Sequence, residues 1–455
     1  MREITIDEAV KAVGGSKQIA GAPKLTGISG VTMDSRLVKS GDLFVAIKGE
    51  RVDGHDFMAE VFDKGAAAVL CDHVPENVKN GVCILVDNTV KALQDLAEWY
   101  RQSLDVKVVG ISGSVGKTST KEMVASVLSA GFSVLKTKGN YNNEIGLPLT
   151  VLSIEPENEV AVLEMGISDF GEMRLLARIA RPDICVLTNI GQSHLEALGT
   201  RDGILKAKSE MFEYRNPDGP VFLNGDDDKL SHVKDINGTK PTFYGFSEGN
   251  HIHPENVESL GLAGTKMTIC IGEDRFDASI KMIGNHMVAN ALVAAAIGNY
   301  LGMTNEQIRE GLANADTIGG RSHLIPHGKG FVIDDCYNAA PTSMKAAVDT
   351  LCLATGRKVA ILGDMFELGK DSDAMHYDMG VYAAGKPIDM LICVGENSRH
   401  MYEGALSKKP VFEVIYCHSL EDLLSKIDSF ISADDNVLVK ASNGMHFSEV
   451  VDRLK

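Results

Sequence analysis

Short apolar runs separated by stretches of helical period organise this chain. In the first third, "LFVAI", "AAVLC" and "CILVD" have the length of buried strands. That part closes on "TVKALQDLAEWYRQSL", where Val90, Leu93, Ala97, Tyr100 and Leu104 recur at helical spacing. The polar stretch from Arg101 to Lys107 marks a first boundary. A second segment opens with the strand "VKVVGIS" and enters a helix at Thr118, with Met123, Val124, Val127 and Leu128 on one side and Gly131 placed to stop it. The runs "VAVLEM", "ICVLTN" and "PVFLN" follow with room for helices between them, which predicts a doubly wound, mostly parallel sheet. From about Asp316 the alternation restarts through "FVIDDC", "KVAILGD", "DMLICVG" and "NVLVKAS". It predicts a third, Rossmann-like unit, although no G-x-G-x-x-G follows any of its strands. The expected architecture is α/β in three domains, residues 1–104, 105–315 and 316–455.

Between the strand and the helix of the second segment lies "SGSVGKTST", Ser112 to Thr120. Its end matches a phosphate-binding loop, G-x-x-x-x-G-K-[ST], but Ile111 stands where the first glycine belongs. In this context the backbone amides of Gly113 to Ser119 are expected to face one concavity at a positive helix terminus, where they favour phosphate. Lys117 would reach the outer phosphates and the Thr118 hydroxyl a magnesium ion. The competing reading is a glycine-rich turn with an exposed lysine. Two further strand ends carry polar residues: Glu164 directly after "VAVL", and His194 after "ICVLTNIGQS". They could complete a metal shell with Thr118, or be a solvated strand end and a loop histidine. No N-K-x-D guanine signature is present, so ATP is the expected nucleotide.

Composition narrows the function. A formal net charge of -17 argues against sequence-independent nucleic-acid binding, so an anionic substrate has to be met by local cationic pockets. The eight cysteines form no C-x-x-C pair and sit mostly in apolar runs, as small core residues of a protein in a reducing compartment. The start "MREITIDEAVKAVGG" lacks the basic-then-apolar order of a signal peptide. "MVANALVAAAIGNYLGM", interrupted by Asn290 and Asn299, reads as a buried helix and not a membrane span. A cytoplasmic, monomeric enzyme is expected.

The shortened loop Gly113-Ser114-Val115-Gly116-Lys117-Thr118 resembles the G-[TS]-x-G-K-[TS] loop of the Mur ligases, ATP-dependent amide-forming enzymes of peptidoglycan precursor synthesis. The resemblance covers essentially the whole chain. "GVTMDSRLVKSGDLFVAIKGERVDGHDF" is similar to the family's uridine-nucleotide domain, and implies Ser35, Arg36, Lys48, Asp53 and His55 as substrate contacts. "GNYNNEIGLP", "LEMGIS", "TNIGQSHLEALGT" and "KAKSEMF" resemble central blocks. They imply Asn142 and Asn143 near ATP, Glu164 and His194 as magnesium ligands, and Lys208 as a carbamylated lysine. On spacing alone Lys208, which shares a helical face with Ile204 and Met211, reads as an ordinary surface lysine. "GNHMVANALVAAA" resembles the adenine-side helix, with Asn290 the base contact and Met287 in place of an asparagine. "GGRSH", "DDCYNAAPTS" and "LGDMFELG" imply Arg321 on phosphate and Asp335, Tyr337 and Asn338 around the nucleoside. "KASNGM" keeps Lys440 and Ser442 toward the incoming amine, with Asn443 where an arginine is usual. The substrates implied are UDP-N-acetylmuramoyl tripeptide and D-alanyl-D-alanine. The alternatives are the step that adds the third peptide residue, whose diaminopimelate form would require a D-N-P-R segment absent here, and a nucleotide-binding protein without ligase chemistry.

Overall fold

Strand runs read from the sequence are the frame of the fold, described by a computed structural model for residues 1–21, 27–316 and 319–455. The described chain divides into two compact units. One comprises Met1–Ser112, Phe132–Val186 and Ser209–Val221, the other Gly113–Gly131, Leu187–Lys208 and Phe222–Lys455.

In the first unit a five-stranded sheet runs in the order Ser16–Ala20, Gly81–Leu85, Ala68–Cys71, Asp42–Val45, Gly30–Thr32. Only the Ser16–Ala20 edge is antiparallel. Its core includes Phe44, Met58, Val61, Val69, Cys71 and Cys83. The helix Thr89–Gln102 starts where the Asn88 side chain accepts the Lys91 N–H, and it buries Leu93, Leu96, Ala97 and Tyr100. Leu104 falls beyond the helix end. Arg101 is a buried anchor, its guanidinium donating to the Ala180 and Arg181 carbonyls. Further along this unit Val160–Glu164 runs parallel to Lys107–Ser112 on one side and Val134–Lys136 on the other, and places Glu164 in register with Ile111.

In the second unit Val221–Asn224, Thr242–Tyr244, Ile252–Ser259, Thr265–Ile271 and Asp274–Ile280 lie side by side in that order. The last three form an antiparallel meander that the sequence reading did not anticipate. "DRFDASI" buries alternate residues, the mark of a strand with one face in the core. The helix Asn285–Tyr300 is buried nearly throughout, as expected of its small-residue run. No helix among the described residues is long and apolar enough to cross a membrane. The loop helix, Lys117–Ser129, packs against Asn285–Tyr300 and Asn305–Asn314. Gly311 permits this, since a Cβ there would lie 2.4 Å from Val127 Cα. The loop helix ends at Ser129, ahead of Gly131, whose φ is not positive; that glycine is not a left-handed cap.

The same unit holds a six-stranded sheet in the order His323–His327, Gly330–Asp334, Asn436–Lys440, Lys358–Gly363, Met390–Val394, Glu413–Cys417. All but the first strand are parallel. The four central strands are those anticipated from sequence, and the two edges are additions.

His376, on the helix Ser372–Ala384 beside this sheet, is fully buried. Its Nδ1–H donates to the Ser372 carbonyl at 2.8 Å and its Nε2 accepts the Met365 N–H at 2.9 Å, a pattern that needs the neutral ring. Burial holds its pKa below the ordinary 6.5, while the unfolded chain takes up a proton near that value. The unfolded state therefore binds more protons below about pH 6.5, and stability falls with pH there while staying constant above. Denaturation from pH 8 to 5 should show wild type losing up to about 1.4 kcal/mol per pH unit relative to His376→Gln below about pH 6.5. Parallel curves for the two proteins would contradict this.

Candidate active site

The position of the missing glycine is inside a strand. Ile111 is fully buried in Lys107–Ser112, and the turn proper is the four residues Gly113 to Gly116 before the helix begins at Lys117. A Cβ on Gly113 would lie 1.9 Å from Thr188 Oγ1, and Gly116 has φ 85°, so both positions require glycine. The Thr188 hydroxyl donates to the Val115 carbonyl at 2.6 Å. Asn189 closes a two-way pair with the same residue, its Oδ1 accepting the Val115 N–H and its Nδ2 donating to the Val115 carbonyl, each at 2.9 Å. The Asn189 carbonyl accepts the Ser114 N–H at 3.0 Å, and the Gly191 N–H donates to Ser114 Oγ at 2.9 Å. This corrects the expectation that every loop amide faces a phosphate: those of Ser114 and Val115 are turned onto Asn189. Lys117 Nζ donates to the Gly113 and Ser114 carbonyls at 2.9 and 3.4 Å, so it lies along the loop.

Lys208 is no surface lysine. It is 1% exposed on the helix Arg201–Ser209, with buried Ile204 and Ala207. Burial, and secondarily the charge of Lys117, push its pKa well below the ordinary lysine value. Both causes favour the neutral amine over the ammonium. His194, at φ 61°, has Nδ1 2.8 Å from Glu367 Oε2.

In the first unit Glu164 is 1% exposed. Its N–H donates to Thr137 Oγ1 at 2.9 Å, and its Oε1 accepts Asn142 Nδ2–H at 2.8 Å. Asn143 Oδ1 accepts the Gly146 N–H at 2.9 Å, just before the helix Gly146–Leu152. The buried carboxylate of Glu164 and, in the second unit, the buried Thr118 hydroxyl are each the kind of oxygen donor that suits a hard divalent cation such as Mg2+.

Thr118 and Ser119 line a pocket of about 210 Å³, open to solvent, with Glu122, Met282, Met287, Asp316 and Arg321. The Arg321 guanidinium lies 3.9 Å from the centre of the Tyr337 ring. Asn290 is buried beneath this pocket, its Oδ1 accepting the Thr120 hydroxyl at 2.9 Å. Asp335 accepts the Ser322 N–H at 2.9 Å and Lys440 Nζ at 2.6 Å, while Lys440 also donates to the Asn338 carbonyl at 2.9 Å. Asn338 Oδ1 itself accepts the Ala339 N–H at 2.9 Å.

Among the residues anticipated for the uridine nucleotide, His55 is buried, its Nδ1–H donating to Asp53 Oδ1 at 2.7 Å and its Nε2 accepting the Asp72 N–H at 3.3 Å. Lys48 and Asp53 form a β-bridge, Arg36 is paired with Asp34 at 2.6 Å, and the Ser35 carbonyl accepts Lys64 Nζ at 2.8 Å.

Three segments match family profiles: residues 27–105 the Mur ligase family catalytic domain, 111–298 the Mur ligase middle domain, and 320–443 the Mur ligase glutamate ligase domain. The chain is 42% identical over 433 residues, 94% of its length and 93% of the relative's, to the UDP-N-acetylmuramoyl-tripeptide–D-alanyl-D-alanine ligase of Bacillus subtilis strain 168. The chain belongs to the Mur ligase family. The ligase of the same name from Escherichia coli K12 is 33% identical across 100% of this chain and 99% of that one. Among solved structures, MurF from Acinetobacter baumannii matches with TM-score 0.90 and 31% identity, covering 100% of this chain and 99% of that one. MurF ligase from Thermotoga maritima in complex with ADP matches with TM-score 0.81 and 29% identity, covering 93% and 96%.

Within this Mur ligase, Met287 is buried with its Sδ 3.6 Å from Asn290 Nδ2, so the thioether is a weak acceptor for that amide. Asn443 is exposed in a short turn. Lys440 and Ser442, expected at the incoming amine, are buried supports: Lys440 ties down the loop of Asp335 and Asn338, and Ser442 Oγ accepts the Phe366 N–H at 2.8 Å. Sequence reasoning missed Thr188 and Asn189 as holders of the loop. "ICVLTN" offered the one available signal, a polar pair at a strand end. Asn189→Ala removes both side-chain bonds to Val115, each worth about 1 kcal/mol. ADP affinity should weaken roughly tenfold in titration calorimetry; unchanged affinity would show that the loop holds its shape without the clamp.

Proposed function

We propose that this chain is an ATP-dependent amide ligase that joins D-alanyl-D-alanine to UDP-N-acetylmuramoyl tripeptide in peptidoglycan precursor synthesis. The observation that carries the reading is the end-to-end likeness to ligases of that name, together with the clamped loop and the buried Lys208. Residues 1–104 would bind the UDP-sugar peptide, 105–315 ATP, and 316–455 the incoming dipeptide, with Asn142, Asn290, Asp335, Tyr337 and Asn338 framing the nucleotide side.

A carboxylate does not condense with an amine at neutral pH because its leaving group would be oxide. Attack of the tripeptide carboxylate oxygen on the γ-phosphorus forms an O–P bond, breaks the bond to the β-phosphate and releases ADP. The dipeptide amine then attacks the acyl carbon, forms the amide and expels phosphate. Lys117 exchanges its loop carbonyls for phosphate oxygens, and Arg321, in the same pocket as Thr118 and Ser119, adds a second cation. Thr118, Glu164 and His194 would hold Mg2+, which screens the converging negative groups. Lys208 would serve as its carbamate, an anionic oxygen ligand in place of an ammonium that would repel the metal. The lowered pKa of this lysine is what its reaction with CO2 requires.

The test is phosphate release from a matrix of UDP-muramoyl peptides against amino acids and dipeptides. Turnover is expected only with ATP, Mg2+, the tripeptide and D-alanyl-D-alanine together. Equal turnover with free D-alanine would overturn the assignment. Lys208→Ala should fold, lose nearly all activity and recover part of it with short carboxylic acids. Wild type in 13C-labelled bicarbonate should show a carbamate signal that the variant lacks. Full activity of Lys208→Ala in CO2-depleted buffer would refute this role.

A further inference from the structure

His194 and Glu367 share a property that their sequence contexts do not reveal: neither is glycine, yet they have φ of 61° and 60°. Ordinary L-residues adopt this left-handed conformation at a cost, and it persists where the surroundings impose it. Here the two side chains meet, Nδ1 to Oε2 at 2.8 Å. His194 lies in the segment matched to the middle domain and Glu367 in the segment matched to the glutamate ligase domain.

The loop that carries Glu367 is held from below. The Met365 N–H is accepted by buried His376, the Phe366 N–H by Ser442 Oγ, and the Asp364 carbonyl accepts the Ser442 N–H. Each of the three residues before Glu367 is thus fixed by the interior of the C-terminal sheet. On the other side, a Cβ on Gly369 would stand only 3.9 Å from the Glu196 backbone, so the two turns lie close together. The glutamate side chain itself is largely exposed, so the support of its backbone, and not burial, is what holds it at the histidine.

We propose that Glu367 is a positioning residue for His194. Its carboxylate accepts the Nδ1–H, which fixes the tautomer and the orientation of the ring toward the metal that accompanies ATP. This arrangement, a carboxylate behind a ligating imidazole, is how proteins commonly orient a metal-bound histidine. It makes placement of the C-terminal domain and metal binding by the middle domain one coupled event, since the glutamate of one sets the imidazole of the other. The inference rests on reading His194 as a magnesium ligand.

Glu367→Ala, Glu367→Gln and His194→Ala separate the two ideas. For each, the binding of Mg2+ to the ADP complex is followed by calorimetry, the Mg2+ dependence of turnover is measured, and the imidazole 15N shifts of His194 report its tautomer. Glu367→Ala is expected to raise the Mg2+ half-saturation about 10- to 100-fold, with kcat largely regained at high Mg2+, and to shift His194 away from the Nδ1–H form. Glu367→Gln, whose carbonyl still accepts the Nδ1–H, should keep the tautomer and show a smaller rise. ADP affinity without Mg2+ should not change. If His194→Ala raises the Mg2+ requirement while Glu367→Ala stays within twofold of wild type with the same tautomer, the positioning role is overturned and the metal reading stands. If His194→Ala leaves the Mg2+ requirement unchanged, both are overturned.

Discussion

The close approach of Gly113 to Thr188 is the constraint on which the site depends. A hydrogen at that α-carbon is all that fits against a hydroxyl 1.9 Å from where a Cβ would be. With the backbone at that distance, Thr188 and Asn189 can grip both faces of the Val115 peptide. That grip fixes where the helix Lys117–Ser129 begins, and hence where the Lys117 amine and the Thr118 hydroxyl emerge. A longer phosphate loop would set its own shape through an extra glycine. Here the strand continues through Ile111 to Ser112, and Thr188 and Asn189 supply the shape from outside.

Charge follows the same logic of local construction. The chain as a whole is strongly acidic, so its long-range field repels a nucleotide or a UDP-sugar. Cations are instead presented at short range. Lys117 is folded onto carbonyl oxygens that cost little to leave, and Arg321 is laid over Tyr337, which holds the guanidinium in one orientation. Lys208 is the opposite case. Its ammonium is buried beside another cation, so the neutral amine is favoured, which is a poor way to bind phosphate and a good way to prepare an amine for reaction.

The sequence made the parallel strands and the loop legible because both are dense local signals, a continuous apolar run and a glycine-lysine-threonine spacing. The meander of Ile252–Ser259, Thr265–Ile271 and Asp274–Ile280 was missed because it offers no continuous apolar run: "DRFDASI" buries only alternate residues and "IHPENVES" buries only its first. Polar residues were the harder class. His55, Asn143, Lys440 and Ser442 all carry side chains suited to a ligand, and all have internal hydrogen-bond partners in the structure. Spacing cannot separate a polar group that faces a ligand from one that faces the backbone, because both satisfy the same need for partners. Lys208 shows the converse: spacing alone made it a surface residue, the resemblance singled it out, and the structure buries it.

These internal roles also bear on the chemistry. Lys440 spends its donors on Asp335 and Asn338, so the loop expected around the nucleoside is tied to the end of a central strand of the C-terminal sheet. Ser442, two residues on, ties down Phe366 in the adjacent loop that presents Glu367. One strand end therefore supports two loops with different tasks, one toward the nucleotide and one toward His194. A substitution at Lys440 or Ser442 that lowers activity would accordingly not by itself identify a substrate contact. Loss of a support and loss of a contact differ in what they disturb: a support alters every residue its loop carries, whereas a contact alters the affinity for a single ligand.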